Sequence, residues 1–172
     1  MRSLVVGAVV AAILAWTNLA GATEVVVNQD RPCPGAGTPT SPYCSIQQGL
    51  MAAVPGTRIR IQRTRSAYAE SVIASVPGTA MAPIIVEADD RSDPPTITGS
   101  FTLQNVGYWT IRNLLFDGAG ATVPTSAIIV RGDPWVHDGS EVVGVTLIDN
   151  TFRNWGMGNR PPELDPENET VG

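Results

Sequence analysis

The stretch Tyr108–Gly118, YWTIRNLLFDG, decides the fold, because a second stretch repeats its pattern 36 residues later. The second copy is Gly144–Asn154, GVTLIDNTFRN, and it places Phe152 on Phe116. Both copies alternate apolar and polar residues, which is the two-residue period of a β-strand. Both also carry a polar Asn or Asp ahead of the Phe. The pair predicts one strand and one tight turn of a stacked solenoid.

The alternation extends towards the N-terminus at a shorter spacing. Arg58–Gln62 (RIRIQ) and Pro83–Ala88 (PIIVEA) match YWTIR at an interval of about 25 residues, and Val72 and Ile97 are also 25 residues apart. The interval of 36 then contains an insertion of about 11 residues. Parallel strands stacked at roughly 4.8 Å would align their inward residues in columns. Two such columns are predicted: Ile59, Ile84, Trp109 and Val145, and beside them Ile61, Val86, Ile111 and Leu147.

The totals of the chain limit its class and partners. With 172 residues, one domain is the expectation. Sixteen acidic residues against 11 basic ones give a net charge of −5, which argues against a nucleic-acid partner. All the basic residues are Arg, and there is no Lys. The 17 Gly and 14 Pro are typical of many short strands joined by turns.

The segment Met1–Ala22 has the composition of a secretory signal peptide. Arg2 precedes the apolar run Leu4–Leu14, and the small residues AGA at 20–22 predict cleavage before Thr23. A membrane anchor is the less favoured alternative, because a bilayer span needs roughly 20 apolar residues. We therefore expect a secreted or extracytoplasmic protein, periplasmic or extracellular, with no membrane segment in the mature chain.

Two features precede the repeats. Cys33 and Cys44 lie in a Pro- and Gly-rich stretch, and in an exported protein they predict a disulfide. The alternative is a zinc pair, but zinc needs about four ligands, and the only His, His137, is far away in sequence.

Ser45–Ala53 (SIQQGLMAA) predicts a short helix with Ser45 as N-cap. Such a helix would cover the apolar end of the first coil.

The chain thus divides into five parts: a signal peptide (1–22), an N-terminal segment with the disulfide loop (23–44), a capping helix and turn (45–57), the repeated coils (58–156) and a tail (157–172). Within the tail, Asn159–Gly172 contains three Pro and four acids, which is typical of a loop or a disordered segment. Alternatively, it is the start of an interrupted coil. A β-helix that stops after Phe152 leaves its last coil open, so we expect a fragment of a longer protein or self-association through that open C-terminal coil.

The run AAVPGTRIRIQ…YAESV…PGT…APIIVEA…PTITG…YWTIRNLLFDG resembles the start of a right-handed parallel β-helix of the pectin-lyase-like superfamily. The resemblance covers Ser45–Asn154 and is strongest to secreted alginate-lyase and chondroitinase-B-like polysaccharide lyases and their uncharacterised relatives. It implies an all-β fold, a right-handed parallel β-helix of about four coils, in a protein that acts on or binds an acidic polysaccharide. The alternative is a non-catalytic secreted or surface β-helix that binds carbohydrate or is structural.

The resemblance transfers no catalytic residue. In the lyases resembled, a Lys and an Arg move the protons, and calcium often neutralises the substrate carboxylate. This chain has no Lys, so its catalytic residues are unknown, and calcium is implied by the resemblance only, since the residues themselves indicate no cofactor. The glycoside hydrolases resembled through the same fold use several Asp with a Gly-His-Gly motif. Here His137 lies between Val136 and Asp138 instead.

Two groups of residues are candidates for binding a glycan. Arg131, Trp135 and His137 are predicted to lie in the inserted loop, where Trp135 could stack on a sugar and Arg131 could bind a carboxylate bidentately. An ordinary solvated loop is the alternative. Arg58 and Arg60 share the outward face of one strand and could meet an acidic polymer. Here the alternative is a charged face that keeps the first coil soluble.

The remaining polar clusters have structural interpretations. Calcium takes 6–8 oxygen ligands, but the spacing of the acidic cluster that follows Pro83–Ala88 matches no known calcium loop, so a solvated turn is favoured and no metal site is predicted. The cluster contains Glu87, Asp89, Asp90 and Asp93. Asn residues at strand ends are expected to bond to neighbouring coils, and they are Asn105, Asn113, Asn150 and Asn154.

Overall fold

The computed structural model describes residues 23–119, 126–132 and 142–155. These ranges contain one short helix, α1 (Ile46–Met51), and otherwise short strands. The strands are β1 (Glu24–Val27), β2 (Arg58–Ile61), β3 (Val72–Ala74), β4 (Ile84–Ala88), β5 (Thr96–Ile97), β6 (Phe101–Gln104), β7 (Trp109–Arg112), β8 (Leu115–Asp117), β9 (Ile128–Arg131), β10 (Thr146–Ile148) and β11 (Thr151–Arg153).

All the strand pairs are parallel, and they form three sheets. Sheet A has the order β1-β2-β4-β7-β10, sheet B the order β5-β8-β11 and sheet C the order β3-β6-β9. From β4 onward the chain visits sheets A, B and C in rotation. Each strand therefore pairs with a strand one circuit away in sequence, as predicted for an all-β parallel fold.

Two of the predicted intervals are confirmed by the register. β10 pairs with β7 at 36 residues, so that Leu147 lies opposite Ile111. β11 pairs with β8 at the same interval, with Phe152 opposite Phe116. β4 pairs with β7 at 25 residues, as the column through Trp109 requires.

The first predicted interval is wrong by two residues. β2 pairs with β4 at 27 residues, so that Ile59 lies opposite Val86 and Ile61 opposite Ala88. The columns therefore do not join Ile59 to Ile84. Because side chains alternate with a period of two, a shift by two residues keeps the same face inward, and the apolar pattern cannot distinguish the two registers.

The predicted equivalence of Val72 and Ile97 is also wrong. Val72 pairs with Phe101 in sheet C, whereas Ile97 pairs with Phe116 in sheet B. The two residues belong to different sheets because the next circuit has a strand in sheet B, β5 with Ile97, before its strand in sheet C, β6, which is the one that pairs with Val72 on β3. All four of these side chains are nevertheless buried, as the apolar pattern predicts.

The first repeat was predicted to begin at Arg58, but the stacked strands begin earlier, with β1. β1 lies in the segment that was assigned only to the disulfide loop, and it pairs with β2 with Glu24 opposite Arg58. Val25 and Val27 point into the core and are buried. The sequence signal was present, because EVVV is β-branched, but the run is only four residues long and ends at a polar segment.

Helix α1 closes the N-terminal end of the core, as predicted, but it ends at Met51 rather than Ala53. The Ser45 hydroxyl accepts a hydrogen bond from the Gln48 amide at 3.2 Å, which confirms the N-cap. A Cβ on Gly49 would lie 2.8 Å from Cγ2 of Val27, so the helix approaches the core too closely for a larger residue. Ile46 and Leu50 are buried against the first strands.

Large aromatic side chains fill the interior between the sheets. Trp109 is fully buried, and its indole N–H donates to the carbonyl of Val76 at 2.9 Å. The buried Tyr68 hydroxyl donates to the carbonyl of Gln62 at 2.9 Å, and burial raises the pKa of Tyr68 to about 12. Both polar atoms are thus satisfied inside an apolar core, as buried polar groups require.

Candidate functional site

The outer face of sheet A carries the first group of predicted binding residues. Arg58 and Arg60 project outward from β2, whereas Ile59 and Ile61 between them are fully buried. The alternation that placed both guanidinium groups on one face is therefore confirmed. The neighbouring strands decide what these cations contact.

Glu87, on β4, lies between two guanidinium groups. Its Oε2 accepts hydrogen bonds from Nε and Nη2 of Arg112, each at 2.6 Å, and its Oε1 lies 3.2 Å from Nε of Arg58. The Glu87 side chain is only 8% exposed. A carboxylate this buried is tolerated because it is paired and hydrogen-bonded from both sides.

Arg60 is held in the same way by two carboxylates. Its Nη1 donates to Glu24 on β1 at 2.6 Å, and its Nη2 contacts Asp89 just after β4. The hydrogen bond that Arg60 donates to Glu24 is the main cause that raises the pKa of Arg60. Three Arg and three acids thus form two adjacent ion-pair groups on one face of sheet A, Arg58–Glu87–Arg112 and Glu24–Arg60–Asp89. Together they balance in charge, and we call them the sheet A network.

A row of amides continues this network at the end of the strands. The Asn28 side chain donates to Oε1 of Gln62 at 2.7 Å, and Gln62 donates to Oδ2 of Asp89 at 3.1 Å. The row follows the stacking direction, one residue per circuit. It holds Asp89 from the side opposite Arg60 and joins the ends of β1, β2 and β4.

The acidic cluster considered for calcium is engaged within the chain. Glu87 and Asp89 form the ion pairs described above, and Asp93 pairs with Arg63 at 2.7 Å. Asp90 accepts from the hydroxyl and the amide of Ser92, and the hydroxyl contact is the main cause that lowers its pKa. The ranges that the structure describes hold no group of three or more His, Cys, Asp or Glu side chains positioned for a metal ion.

The second predicted group is only partly visible. Arg131 is the last residue of β9, opposite Gln104, so it ends a strand instead of lying in the inserted loop as predicted. Trp135 and His137 lie outside the described residues, as do the predicted signal peptide (1–22) and the predicted tail (157–172). The proposed grouping of the three side chains stays a prediction.

Sequence reasoning missed two members of the sheet A network, Glu24 and Arg112. The signal for Arg112 was available, because it lies 25 residues after Glu87, at the interval that relates β4 to β7. An outward acid and an outward Arg at that interval predict a cross-strand ion pair. Glu24 was missed because it lies on β1, a strand that was not predicted.

The predicted bonding of strand-end Asn side chains to a neighbouring coil is confirmed for Asn150 and Asn154. The Asn150 side chain donates to the carbonyl of Ile111 at 2.7 Å and accepts from the amide of Leu114 at 3.1 Å, one circuit away. Asn105, Asn113 and Asn154 adopt left-handed backbone conformations with φ of 54° to 57°. Asn tolerates this conformation better than most residues.

The predicted disulfide between Cys33 and Cys44 is present, with their Cα atoms 5.7 Å apart. Among the residues described, no helix has the length and apolar character needed to cross a bilayer.

Comparisons with known proteins are sparse. No protein-family model matches the chain, and no curated protein matches it either. Among solved structures, the chain is similar to a crystal structure of the GH136 lacto-N-biosidase from Eubacterium ramulus, with 16% sequence identity and a TM-score of 0.48. That similarity covers 77% of this chain and 26% of the lacto-N-biosidase, so the chain spans about a quarter of that structure's length.

Proposed function

We propose that this chain is a secreted right-handed parallel β-helix whose sheet A face binds an acidic polysaccharide, as the scaffold of a polysaccharide-lyase-like protein. The rotation of the chain through three parallel sheets supports the β-helix. Parallel crossover connections are right-handed in about 98% of cases, which supports the hand. The disulfide supports an oxidising compartment.

The observation that carries the binding function is the exposure of paired Arg side chains on the outward face of β2. The side chain of Arg58 is 45% exposed and that of Arg60 is 35% exposed, although both meet carboxylates. A guanidinium has five N–H donors, so one carboxylate does not use them all. A uronate carboxylate could then be bound by the same forked geometry that holds Glu87.

The sheet A network also sets the expected strength and salt dependence of binding. An acidic polymer would compete with Glu24 and Glu87 for the guanidinium groups, so a single site would bind weakly. A polymer that reaches several circuits would add such contacts. Because the Arg groups are partly exposed, salt at about 0.15 M would already screen much of the attraction.

A non-catalytic β-helix is the second candidate, and the charge balance of the sheet A network favours it. A lyase needs a cation, a base and an acid around one carboxylate. The Arg side chains of the network are poor bases, since free Arg stays protonated and the pKa of Arg60 is raised further. The network therefore supplies cations for binding, and any lyase chemistry would need other residues.

Affinity chromatography on immobilised alginate, pectate and chondroitin sulfate tests the proposal. The wild-type protein should be retained and elute with added salt, and Arg58→Gln should weaken binding by about three- to tenfold, the loss of one charge-assisted contact. Arg63→Gln is the matched control, because Arg63 carries the same charge but pairs with Asp93 outside sheet A.

Each outcome of this experiment separates the candidates. Retention together with release of unsaturated ends, seen as ultraviolet absorbance, supports a lyase. Retention without such release supports the non-catalytic binder. Equal losses for Arg58→Gln and Arg63→Gln, or no retention of the wild type on any of the three glycans, would overturn the role of the sheet A face.

A further inference from the structure

The outer edge of β1 is covered by a loop instead of a strand. In a parallel strand, successive residues turn their backbone groups to opposite sides. Val27 turns its carbonyl towards β2, where it accepts from the Gln62 amide at 2.9 Å. Val26 and Asn28 therefore turn theirs away from β2, towards the free edge of sheet A.

The loop between Cys33 and Cys44 satisfies this edge. The Val26 amide donates to the carbonyl of Gly37 at 2.8 Å, and the Val26 carbonyl accepts from the Tyr43 amide at 2.9 Å. The Asn28 amide donates to the carbonyl of Tyr43 at 2.7 Å. Both loop residues that contact β1 lie inside the ring that the disulfide closes, so the ring holds a substitute for a neighbouring strand.

The two arms of the loop are packed directly on each other. A Cβ on Gly35 would lie 1.6 Å from the carbonyl oxygen of Pro42, and one on Gly37 would lie 2.5 Å from the ring of Tyr43. The Ala36 amide also donates to the carbonyl of Ser41 at 2.8 Å. Outside these contacts the loop is largely exposed, so it covers β1 as a single layer of chain whose two ends are joined by the disulfide.

We infer that the Cys33–Cys44 disulfide locks a latent strand-accepting edge, and that its reduction lets β1 pair with an extended strand of a second copy of this chain. A second copy offers a compatible strand, because β10 forms the other edge of the same parallel sheet in the described part of the chain. An uncovered edge strand is a ready template for such pairing.

The opening step is an ordinary thiol–disulfide exchange. A dithiol reductant supplies two electrons and two protons, the S–S bond breaks to give two thiols, and the reductant becomes a cyclic disulfide. Cys33 is exposed and Cys44 is half-buried, so the reductant can reach the bond. Without the closure, the loop regains chain entropy that opposes its contacts with β1.

Hydrogen exchange measures the opening directly when the protein is too dilute to associate, because pairing with a second copy would protect the same amides again. With dithiothreitol, or in the variant that carries both Cys33→Ser and Cys44→Ser, the amides of Val26 and Asn28 should exchange at least about tenfold faster. The Ile85 amide, which donates to the Thr57 carbonyl at 2.9 Å inside sheet A, is the internal control and should not change. Unchanged protection at Val26 and Asn28, or equal loss at Ile85, would overturn the lock.

Light scattering coupled to gel filtration tests the second half of the inference. The reduced protein should elute as a larger species than the oxidised protein at the same concentration. Val26→Pro removes the amide that faces the edge, and Pro is tolerated on edge strands, so this variant should stay at the oxidised size after reduction. If reduction opens the loop without any increase in size, or if reduced Val26→Pro still associates, pairing through β1 is wrong.

Discussion

The two ends of the stacked sheets are built differently. At the N-terminal end, helix α1 covers the core and the disulfide loop covers the edge of β1. At the C-terminal end, within the described ranges, β10 and β11 carry the core columns to an exposed surface. In the column through Ile111, that residue is fully buried and Leu147 is 47% exposed. The difference shows that an inward apolar residue of this fold is fully buried only when its circuit has a neighbour on each side.

The aromatic column repeats the same contrast. Phe116 is fully buried, whereas Phe152, stacked on it with ring centroids 5.2 Å apart, is 47% exposed. Both residues occupy equivalent places in sheet B. Phe152 therefore stabilises the circuit beneath it while one of its own sides remains open.

Side chains complete the cover at the N-terminal end. The Glu70 carboxylate accepts from the amides of Ile46 and Gln47 at 2.6 and 3.2 Å, and so caps helix α1 from a distant part of the chain. The Gln47 side chain in turn accepts from the amide and donates to the carbonyl of Ile73 on β3, the edge strand of sheet C. An amide side chain thus occupies the place of a strand there.

The largest expected effect comes from a matched pair of substitutions at the two ends. Leu50→Ala removes a buried side chain from α1 and should lower the free energy of unfolding by about 2–5 kcal/mol, and Ala does not weaken the helix itself. Leu147→Ala removes a half-exposed side chain and should cost less than about 1.5 kcal/mol. Urea denaturation measures both. Equal costs would show that the C-terminal end is covered in solution.

A smaller loss of stability is expected when the Glu70 carboxylate, which caps helix α1, is removed. Glu70→Ala should lower the free energy of unfolding by about 1.5–3 kcal/mol, because two helix amides lose a charged acceptor. Glu70→Gln keeps one oxygen acceptor and should cost less than Glu70→Ala. Thermal or urea unfolding compares the two. If neither substitution matters, the cover at the N-terminal end depends on the helix and the disulfide loop alone.

The smallest effect concerns an ion pair at the C-terminal end. Asp117 on β8 accepts from the side chains of Asn154, at 2.7 Å, and of Arg153, at 2.9 Å. The Asn154 contact is the main cause that lowers the pKa of Asp117. Asn154→Ala should raise that pKa towards its ordinary value, which a carbon-detected NMR titration of the carboxyl group measures.

The sign of the pH effect follows from the direction of this shift. A carboxyl group with a lowered pKa stabilises the folded state above its unfolded pKa, and this contribution is lost as pH falls through its folded pKa. Asn154→Ala should therefore be less stable than wild type at neutral pH. The difference should narrow in acid to the pH-independent cost of placing Ala in the left-handed backbone conformation of position 154. An unchanged Asp117 titration in Asn154→Ala would mean that the Ala119 amide and Arg153 control the carboxyl group without Asn154.

The sequence was sufficient for the all-β parallel class and for most of the strand pairing. Polar residues next to Phe116 and Phe152 marked one interval without ambiguity, and that register is correct. The register of Ile59 was misplaced by two residues, since only the turns before and after a strand distinguish registers that keep the same face inward. Sheet C was not separated from sheet B, because strands of two to four residues carry too little pattern.

The candidate site was predictable only in part, for a related reason. The outward direction of Arg58 and Arg60 follows from alternation within one strand and needs no partner. Their contacts with Glu87 and Asp89 depend on which strands are neighbours and in which register, which a single sequence does not contain. Arg58 and Arg60 were therefore considered separately from the acidic cluster, although Glu87 and Asp89 of that cluster pair with them.

The connections between the stacked strands, which form the corners of each circuit, differ in length, whereas the pairing of the strands stays regular. Successive strands of sheet A begin their pairing 34, 27, 25 and 36 residues apart, yet every pair is in simple one-to-one register. Since the entropy of loop closure grows only by about 0.6 kcal/mol for each doubling of length, evolution can lengthen one corner at little cost. Foreign peptides grafted at such a corner should leave the sheets intact, so new recognition properties can arise on this scaffold without a new fold.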